Sequence, residues 1–182
     1  MLDKSIIFCL LAVSFGQIHN FGRCPTPSRG RVDLDRYSGK WYEYQRSCNI
    51  WDNATKCIRA YWDKPEGGIS KVLSTSISLI KNGVNSSLAA EAANNDHNLG
   101  MNYHSPNLGP RYYEYWILDT DYDNYAISWS CENNELTRTE YSYIFTRNDI
   151  PAVDVEKIAR EVFARESFEM PYMATIDQQN CP

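Results

Sequence analysis

Residues 112–131 of this 182-residue chain read YYEYWILDTDYDNYAISWSC. The flanks of this stretch, residues 112–119 and 124–131, are rich in aromatic and branched apolar side chains, which favour β-strands. Between them, Asp121 and Asp123 are of a residue type that hydrogen-bonds backbone groups in tight turns. The stretch therefore predicts two strands that pair antiparallel across a short turn.

The same pattern continues along the chain on both sides of this hairpin. Tyr141, Tyr143 and Phe145 alternate with polar residues, and this period of two indicates an antiparallel strand with one face over a core. Turns rich in Gly, Pro, Asn and Asp separate the runs. Eight strands are predicted, at residues 40–47, 56–63, 70–79, 84–93, 98–104, 112–119, 124–131 and 140–147.

Eight strands joined in order by short turns predict an all-β fold, an eight-stranded antiparallel up-and-down β-barrel. A two-sheet sandwich has similar strand spacing and is the alternative that composition leaves open. After the last strand, apolar residues recur on one helical face from Val155 to Phe163. They predict one C-terminal α-helix packed on the outside of the barrel, and Pro151 suits its start.

The first sixteen residues are typical of a secretory signal peptide. Lys4 precedes an apolar run at residues 6–15, which is too short to span a bilayer, and Ser14 and Gly16 are small residues before a cleavage site after Gly16. A buried N-terminal strand is the alternative interpretation. We therefore expect a signal peptide at residues 1–16, a single domain at residues 17–182, a secreted protein and no transmembrane segment.

Composition narrows the classes of function. The net charge of −5 argues against nucleic acid, whose binding needs a basic face. The chain has 13 Tyr, 5 Trp and 6 Phe, which favour strands or a surface that lines a ligand. His19, His97 and His104 form no catalytic or metal-binding motif, and nucleophile-elbow and phosphate-loop motifs are absent from the sequence. We predict neither an enzyme nor a metal site.

Secretion gives meaning to the cysteines and to two sequons. Asn53 and Asn85 each begin an Asn-x-Ser/Thr tripeptide and are candidate glycosylation sites. An odd number of cysteines remains once residues 1–16 are removed, which leaves one free or bonded to a partner. These cysteines are Cys24, Cys48, Cys57, Cys131 and Cys181.

Three local patterns occur together in a fixed order. Gly39 and Trp41 form a Gly-x-Trp at the first predicted strand, residues 120–125 read TDYDNY, and Arg147 closes the eighth strand. This combination resembles the lipocalin family over about residues 24–182. The segments WYE at 41–43, CIRA at 57–60, YWIL at 115–118 and QNCP at 179–182 are similar to its branch of apolipoprotein D and the insect bilin-binding proteins.

The resemblance implies a barrel that is closed at one end, open at the other and holds a hydrophobic ligand. Trp41 would plug the closed end, with the Arg147 guanidinium across its indole face. The residues to which the resemblance assigns structural rather than catalytic roles are Gly39, Trp41, Thr120, Asp121, Tyr125 and Arg147.

The resemblance also implies the disulfide pairing. Cys24 would pair with Cys131, and Cys57 with Cys181. Cys48 departs from the branch pattern and would be free or bonded to a partner. From the sequence alone, a Cys48–Cys57 pairing remains open.

Alternation assigns the side chains that face the interior. With Trp41 inward, Glu43 and Gln45 are predicted inward too. Residues 112–119 are ambiguous by polarity, and the resemblance favours the face of Tyr113, with Trp116 outside. Tyr143 and Phe145 could equally be packed side chains of a solid core. The predicted ligand-binding residues are Trp62, Val72, Met101, Tyr103, Tyr113, Tyr115, Ile117, Ser128, Tyr141, Tyr143 and Phe145.

These observations predict a secreted, non-enzymatic carrier, a monomer or homo-oligomer, that needs no cofactor. Its ligand would be a lipid such as a fatty acid or sterol, or a bilin pigment such as biliverdin. The alternative is an extracellular protein-binding or signalling lipocalin that acts through its loops. Ile50 and Trp51, in the first loop, would form a lid, a membrane contact or a partner contact.

Overall fold

The computed structural model describes residues 20–47, 54–80, 83–105 and 109–182. Within these ranges, long strands follow one another along the chain and each pairs antiparallel with the next. They are β2 (Gly39–Ser47), β3 (Thr55–Trp62), β4 (Ile69–Ser78), β5 (Asn85–Asn94), β6 (Leu99–Ser105), β7 (Gly109–Thr120), β8 (Tyr125–Asn133) and β9 (Thr137–Thr146). Two short strands flank them, β1 (Asn20–Phe21) and β10 (Met173–Thr175).

The sheet closes on itself because the last long strand pairs with the first. Glu43 of β2 lies opposite Phe145 of β9, and Arg46 lies opposite Tyr143. The predicted eight-stranded up-and-down barrel is therefore confirmed, and the sandwich is excluded, since a sandwich leaves its sheets unjoined. β1 extends the sheet beside β9 and β10 extends it beside β2. Strands of two and three residues are too short to show an alternating pattern.

The alternation along β2 is interrupted by a bulge at Tyr44. Glu43 pairs with Phe145, but the next residue in register is Gln45, which lies opposite Ile144. An extra residue in one strand reverses which face its later side chains occupy. The prediction that Gln45 points inward is therefore wrong: its amide donates to Glu156 outside the barrel, at 3.0 Å.

The predicted outer helix is confirmed as α2 (Val155–Arg165). Its start differs from the prediction: Asp154, rather than Pro151, is the N-cap residue, and its carboxylate accepts a hydrogen bond from the Lys157 N–H at 3.0 Å. The apolar face of α2 packs against outward side chains of the barrel. That cluster contains Trp116, Leu118, Ile127, Trp129, Ile144, Val155, Ala159, Val162 and Phe163. In the described part of the chain, no helix combines the length and apolarity needed to cross a bilayer.

A one-turn helix closes one end of the barrel. This helix, α1 (Leu34–Tyr37), is capped by Asp33, whose carboxylate accepts from the N–H groups of Asp35 and Arg36. Tyr37 is buried and its ring lies 4.9 Å from both Trp41 and Trp62, measured between ring centroids. Four residues are too few for a helical period, so the sequence does not predict α1.

Two disulfides tie the segments before α1 and after β10 to the barrel. Cys24 is bonded to Cys131 and Cys57 to Cys181, with Cα–Cα distances of 5.9 and 5.6 Å. This is the pairing that the family resemblance implies, and it uses Cys57 without Cys48. The predictions for Cys48, for Ile50 and Trp51, and for the signal peptide at residues 1–16 lie outside the described residues.

Candidate functional site

The barrel encloses a cavity of about 570 Å³. It extends from Trp41 at the closed end to Ser76 and Ser86 beside the β4–β5 hairpin. All the side chains predicted to bind a ligand line this cavity: Trp62, Val72, Met101, Tyr103, Tyr113, Tyr115, Ile117, Ser128, Tyr141, Tyr143 and Phe145. Their location agrees with the expected alternation of the strands, and their role in binding stays a prediction.

The ambiguous strand, β7, has the orientation that the resemblance favours. Tyr113, Tyr115 and Ile117 face the cavity, whereas Trp116 and Leu118 belong to the cluster that packs against α2. Both faces of β7 are apolar, so polarity does not assign them. They differ in what they contact, which is the cavity on one face and the cluster against α2 on the other.

Tyrosine rings form a continuous wall on one half of the cavity. The hydroxyls of Tyr103 and Tyr115 are 3.3 Å apart, and the ring of Tyr103 meets that of Tyr113 edge-on at 5.7 Å. Tyr143 lies 6.2 Å from Tyr115 and stacks on Phe145 at 6.1 Å. These rings offer flat apolar surface together with hydroxyl groups that donate and accept hydrogen bonds.

Burial disfavours ionisation of the central hydroxyl of this wall. Loss of hydration raises the pKa of Tyr115 well above its usual value, and the neighbouring Tyr103 and Tyr143 raise it further. Tyr115 therefore remains a phenol, able to donate as well as accept, throughout the physiological pH range.

The opposite half of the cavity, formed by β3 to β5, carries mostly smaller side chains, with Trp62 and Arg59 of β3 as the large exceptions. Ala60, Val72, Ser74 and Leu88 are among the smaller ones. Because these side chains leave room across from the tyrosine rings, the cavity is suited to a flat or elongated apolar molecule that contacts aromatic rings on one face.

The cavity wall contains an ion pair, of which the sequence predicts one residue and not the other. Glu43 faces the interior as expected, and it accepts a hydrogen bond from the Nε–H of Arg46. The Arg46 and Glu43 side chains are 8% and 6% exposed. Regular alternation from Trp41 points Arg46 outward, so the sequence does not predict it in the lining. The bulge at Tyr44 reverses that direction, and no residue type in the strand signals a bulge.

The closed end has the arrangement that the resemblance implies. The Arg147 guanidinium carbon lies 3.7 Å from the centroid of the Trp41 ring, and the indole N–H donates to the Tyr37 carbonyl at 2.8 Å. Arg147 also donates to the carbonyls of Tyr122 and Lys40, at 2.8 and 3.1 Å. These bonds join α1, β2 and the turn between β7 and β8 to Arg147 just beyond β9, so the residues stabilise the closed end.

Gly39, at the same closed end of the barrel, has a backbone conformation that favours glycine. Its φ is +102°, and a Cβ built there would lie 3.2 Å from Nη1 of Arg147. A side chain would be strained and would press on the guanidinium that covers Trp41.

The turn between β7 and β8 is organised by Asp121 and Thr120. One Asp121 oxygen accepts from the backbone N–H groups of Asp123, Asn124 and Tyr125 at 2.8–3.1 Å, and Thr120 donates to the Tyr125 carbonyl at 2.6 Å. Partial burial by itself raises the pKa of Asp121, but the hydrogen bonds from Asn124 and the backbone outweigh it, and the pKa is lowered. The turn is thus a structural feature.

Of the two sequons, one lies in the described residues. Asn85 is exposed at the start of β5, beside Ser86 and Ser87 of the cavity lining. A glycan there would project at the end of the barrel away from Trp41. Asn53 lies outside the described residues.

Comparison with known proteins gives consistent results. The model of the lipocalin / cytosolic fatty-acid binding protein family matches residues 38–170. Apolipoprotein D of Cavia porcellus is 30% identical over 191 residues, which cover 100% of this chain and 96% of that protein. The Lazarillo protein of Schistocerca americana is 30% identical over 152 residues, covering 81% and 71%. Insecticyanin of Manduca sexta, 19% identical, superposes with a TM-score of 0.74 over 87% of this chain and 88% of that one, which shows the shared fold.

Proposed function

The chain belongs to the lipocalin family, and we propose on this basis that it is a secreted, non-enzymatic carrier of one small hydrophobic ligand. The observation that carries the proposal is the barrel cavity of about 570 Å³, with tyrosine rings on one half and mostly smaller side chains on the other. Such a cavity is large enough for a drug-sized molecule and binds by excluding water from apolar surface. Binding therefore needs no chemical step and no cofactor.

Two classes of ligand fit this lining. A lipid, either a fatty acid or a sterol, is the broader proposal, and the family description includes fatty-acid binding. A planar conjugated pigment such as the bilin biliverdin is the sharper one, because the rings of Tyr103, Tyr113 and Tyr143 offer flat surfaces with hydroxyl groups between them.

Secretion is supported by the bonded cysteines. Disulfides persist in oxidising compartments, and the bridges Cys24–Cys131 and Cys57–Cys181 agree with the leader-like residues 1–16. In that compartment Asn85, on an exposed strand end, is accessible to glycosylation.

The experiment that tests the function is ligand recovery. The protein is purified from its source, its visible absorption spectrum is recorded and its organic extract is analysed. A protein that is blue or green supports the bilin, and a colourless protein with extractable fatty acid or sterol supports the lipid. A colourless, lipid-free protein whose tryptophan fluorescence is quenched by neither biliverdin, oleic acid nor cholesterol would contradict the carrier function.

Truncating the tyrosine wall is expected to weaken binding. Tyr113→Ala and Tyr141→Ala should each lower ligand affinity about tenfold, or about 1.4 kcal/mol, because each removes a ring that contacts the bound molecule. Fluorescence titration with the recovered ligand measures the change. Tyr112→Ala is the matched control, since Tyr112 is on the same strand but 52% exposed on the outer face. If all three variants bind the ligand as tightly as the wild-type protein does, the ligand does not bind against the tyrosine wall.

A further inference from the structure

The outer surface of the barrel has a stripe of side chains along β4 and β5 that is complementary to itself. We propose that this β4–β5 stripe is the interface of a symmetric dimer, in which it packs against the same stripe of a second copy of the chain. The stripe lies outside the cavity, so this inference does not depend on the carrier function. Its members are Ile69, Lys71, Leu73, Ala89, Glu91 and Ala93.

The stripe presents apolar surface to solvent. Val72 and Ala92, which alternate with its members along the two strands, are buried in the barrel interior. The stripe therefore faces outward, where Ile69 and Leu73 are 45% and 44% exposed. One exposed apolar side chain is ordinary, but two large ones on the same face of one strand, beside two alanines of the next, form a continuous apolar surface. The helix α2 covers apolar side chains of β7, β8 and β9 instead.

The register of the two strands makes the stripe self-complementary. Its facing pairs are Ile69 with Ala93, Lys71 with Glu91 and Leu73 with Ala89. A two-fold axis that runs along the strands, midway between β4 and β5, exchanges the two strands without changing the position along them. In such a dimer, Lys71 faces Glu91 of the partner subunit, and Leu73 faces Ala89 of the partner subunit. Every large apolar side chain of the stripe then meets a small one, and every charge meets its opposite.

The charges favour a second copy over a partner of another sequence. Two copies bring together four charges of alternating sign, because Lys71 and Glu91 are already opposite each other within one chain. The Glu91 carboxylate lies 3.9 Å from Nε2 of His104, and its side chain is 48% exposed, so it can also reach a cation across an interface. Complementary charges fix the orientation of two partners and disfavour others. A second copy supplies this alternation without any further requirement.

The stripe lies in the half of β4 nearer the closed end of the barrel. Val72 is opposite Trp62 of β3, whereas the β4–β5 hairpin lies beyond Ser78. A dimer formed through the stripe would therefore leave the hairpin end of the cavity uncovered. Because the outer surface of a barrel is curved, two copies touch over few strands. The interface is small, and we expect a reversible dimer with a Kd of about 10 μM.

Sedimentation velocity between about 1 and 200 μM protein, at about 0.05 M NaCl, measures the association. We expect the wild-type protein to change from monomer to dimer over this range. Lys71→Glu and Glu91→Lys each place like charges opposite each other at both ion pairs, and each should weaken association about 100-fold. Lys157→Glu is the matched control, because it makes the same charge change at an exposed position on α2 and should leave the dimer intact.

Recombination of the two defective variants is the decisive measurement. An equimolar mixture of Lys71→Glu and Glu91→Lys pairs a chain with two acidic groups in the stripe with a chain that has two basic ones. The mixture should associate with a Kd of about 10 μM again, although neither variant does so alone. The double variant Lys71→Glu with Glu91→Lys should likewise form a dimer with itself. A variant that had lost its fold would recover in neither experiment.

Three results would overturn this interface. The first is a wild-type protein that is monomeric at about 200 μM, which would leave the stripe to a partner of another kind. The second is a dimer that survives in both single variants, since association would then use another surface. The third is two single variants that are monomeric and folded by circular dichroism but do not associate when mixed. None of these results would affect the ligand-recovery experiment that tests the carrier function.

Discussion

Removing the Cys57–Cys181 bridge with Cys57→Ala and Cys181→Ala is expected to lower the free energy of unfolding by about 4–5 kcal/mol. The bridge spans a sequence separation of 124 residues. Its loss allows the unfolded chain many more conformations, while the folded barrel keeps its sheet. Urea unfolding followed by tryptophan fluorescence measures the change. The slope of free energy against urea should also rise, because the unfolded chain becomes more expanded.

The second bridge provides the matched comparison. Cys24 and Cys131 are 107 residues apart, and loop entropy depends only on the logarithm of this separation. Cys24→Ala with Cys131→Ala should therefore cost nearly as much as loss of the first bridge. A loss below about 1 kcal/mol for either pair would contradict the entropic account.

Replacing Trp41 with alanine is expected to lower the free energy of unfolding by about 3–5 kcal/mol. Trp41 is completely buried at the closed end, where its indole contacts Tyr37 and the Arg147 guanidinium. The variant loses apolar burial, leaves a cavity below the ligand space and removes the indole hydrogen bond to the Tyr37 carbonyl. Thermal and urea unfolding both report this change.

A double-mutant cycle isolates the contact between Trp41 and Arg147. Trp41→Leu and Arg147→Met, which remove the aromatic ring and the cation, should give a coupling energy of about 0.5–2 kcal/mol when made singly and together. Tyr61→Ala is a suitable control, since Tyr61 is an outward residue 37% exposed, and we expect it to change stability by about 0.5 kcal/mol or less. If the Trp41 and Arg147 effects simply add, the guanidinium contributes through its hydrogen bonds to backbone carbonyls alone.

Much of the fold could be predicted from local sequence because strand alternation directly reports burial. In residues 140–147 the alternation of Tyr141, Tyr143 and Phe145 with polar residues identifies both a strand and its inward face. The helix likewise follows from its apolar period. Its first residue does not, because the cap depends on Asp154 reaching the Lys157 N–H, and Pro151 was the stronger local signal.

The candidate site was predictable where strands are regular and not where they bulge. The predicted aromatic lining residues lie on strands whose alternation is uninterrupted across them, or whose orientation the family resemblance supports, whereas Tyr37 of α1 also lines the cavity and is not predicted. Regular alternation predicts Gln45 inward and Arg46 outward, and the structure has the reverse because one extra residue in β2 reverses the alternation. A bulge is favoured by pairing across two strands, and the sequence of one strand does not report it.

The linear pattern of residues was sufficient for the strand order, the outer helix and the class of fold, because these depend on periodicities of two and 3.6 that each segment carries locally. The closing of β9 onto β2, the short strands β1 and β10, and the meeting of Glu43 with Arg46 inside the cavity depend on residues far apart in the chain or on register between strands. Such features exist only once the barrel has closed, since their energies come from non-local pairing and from shared burial.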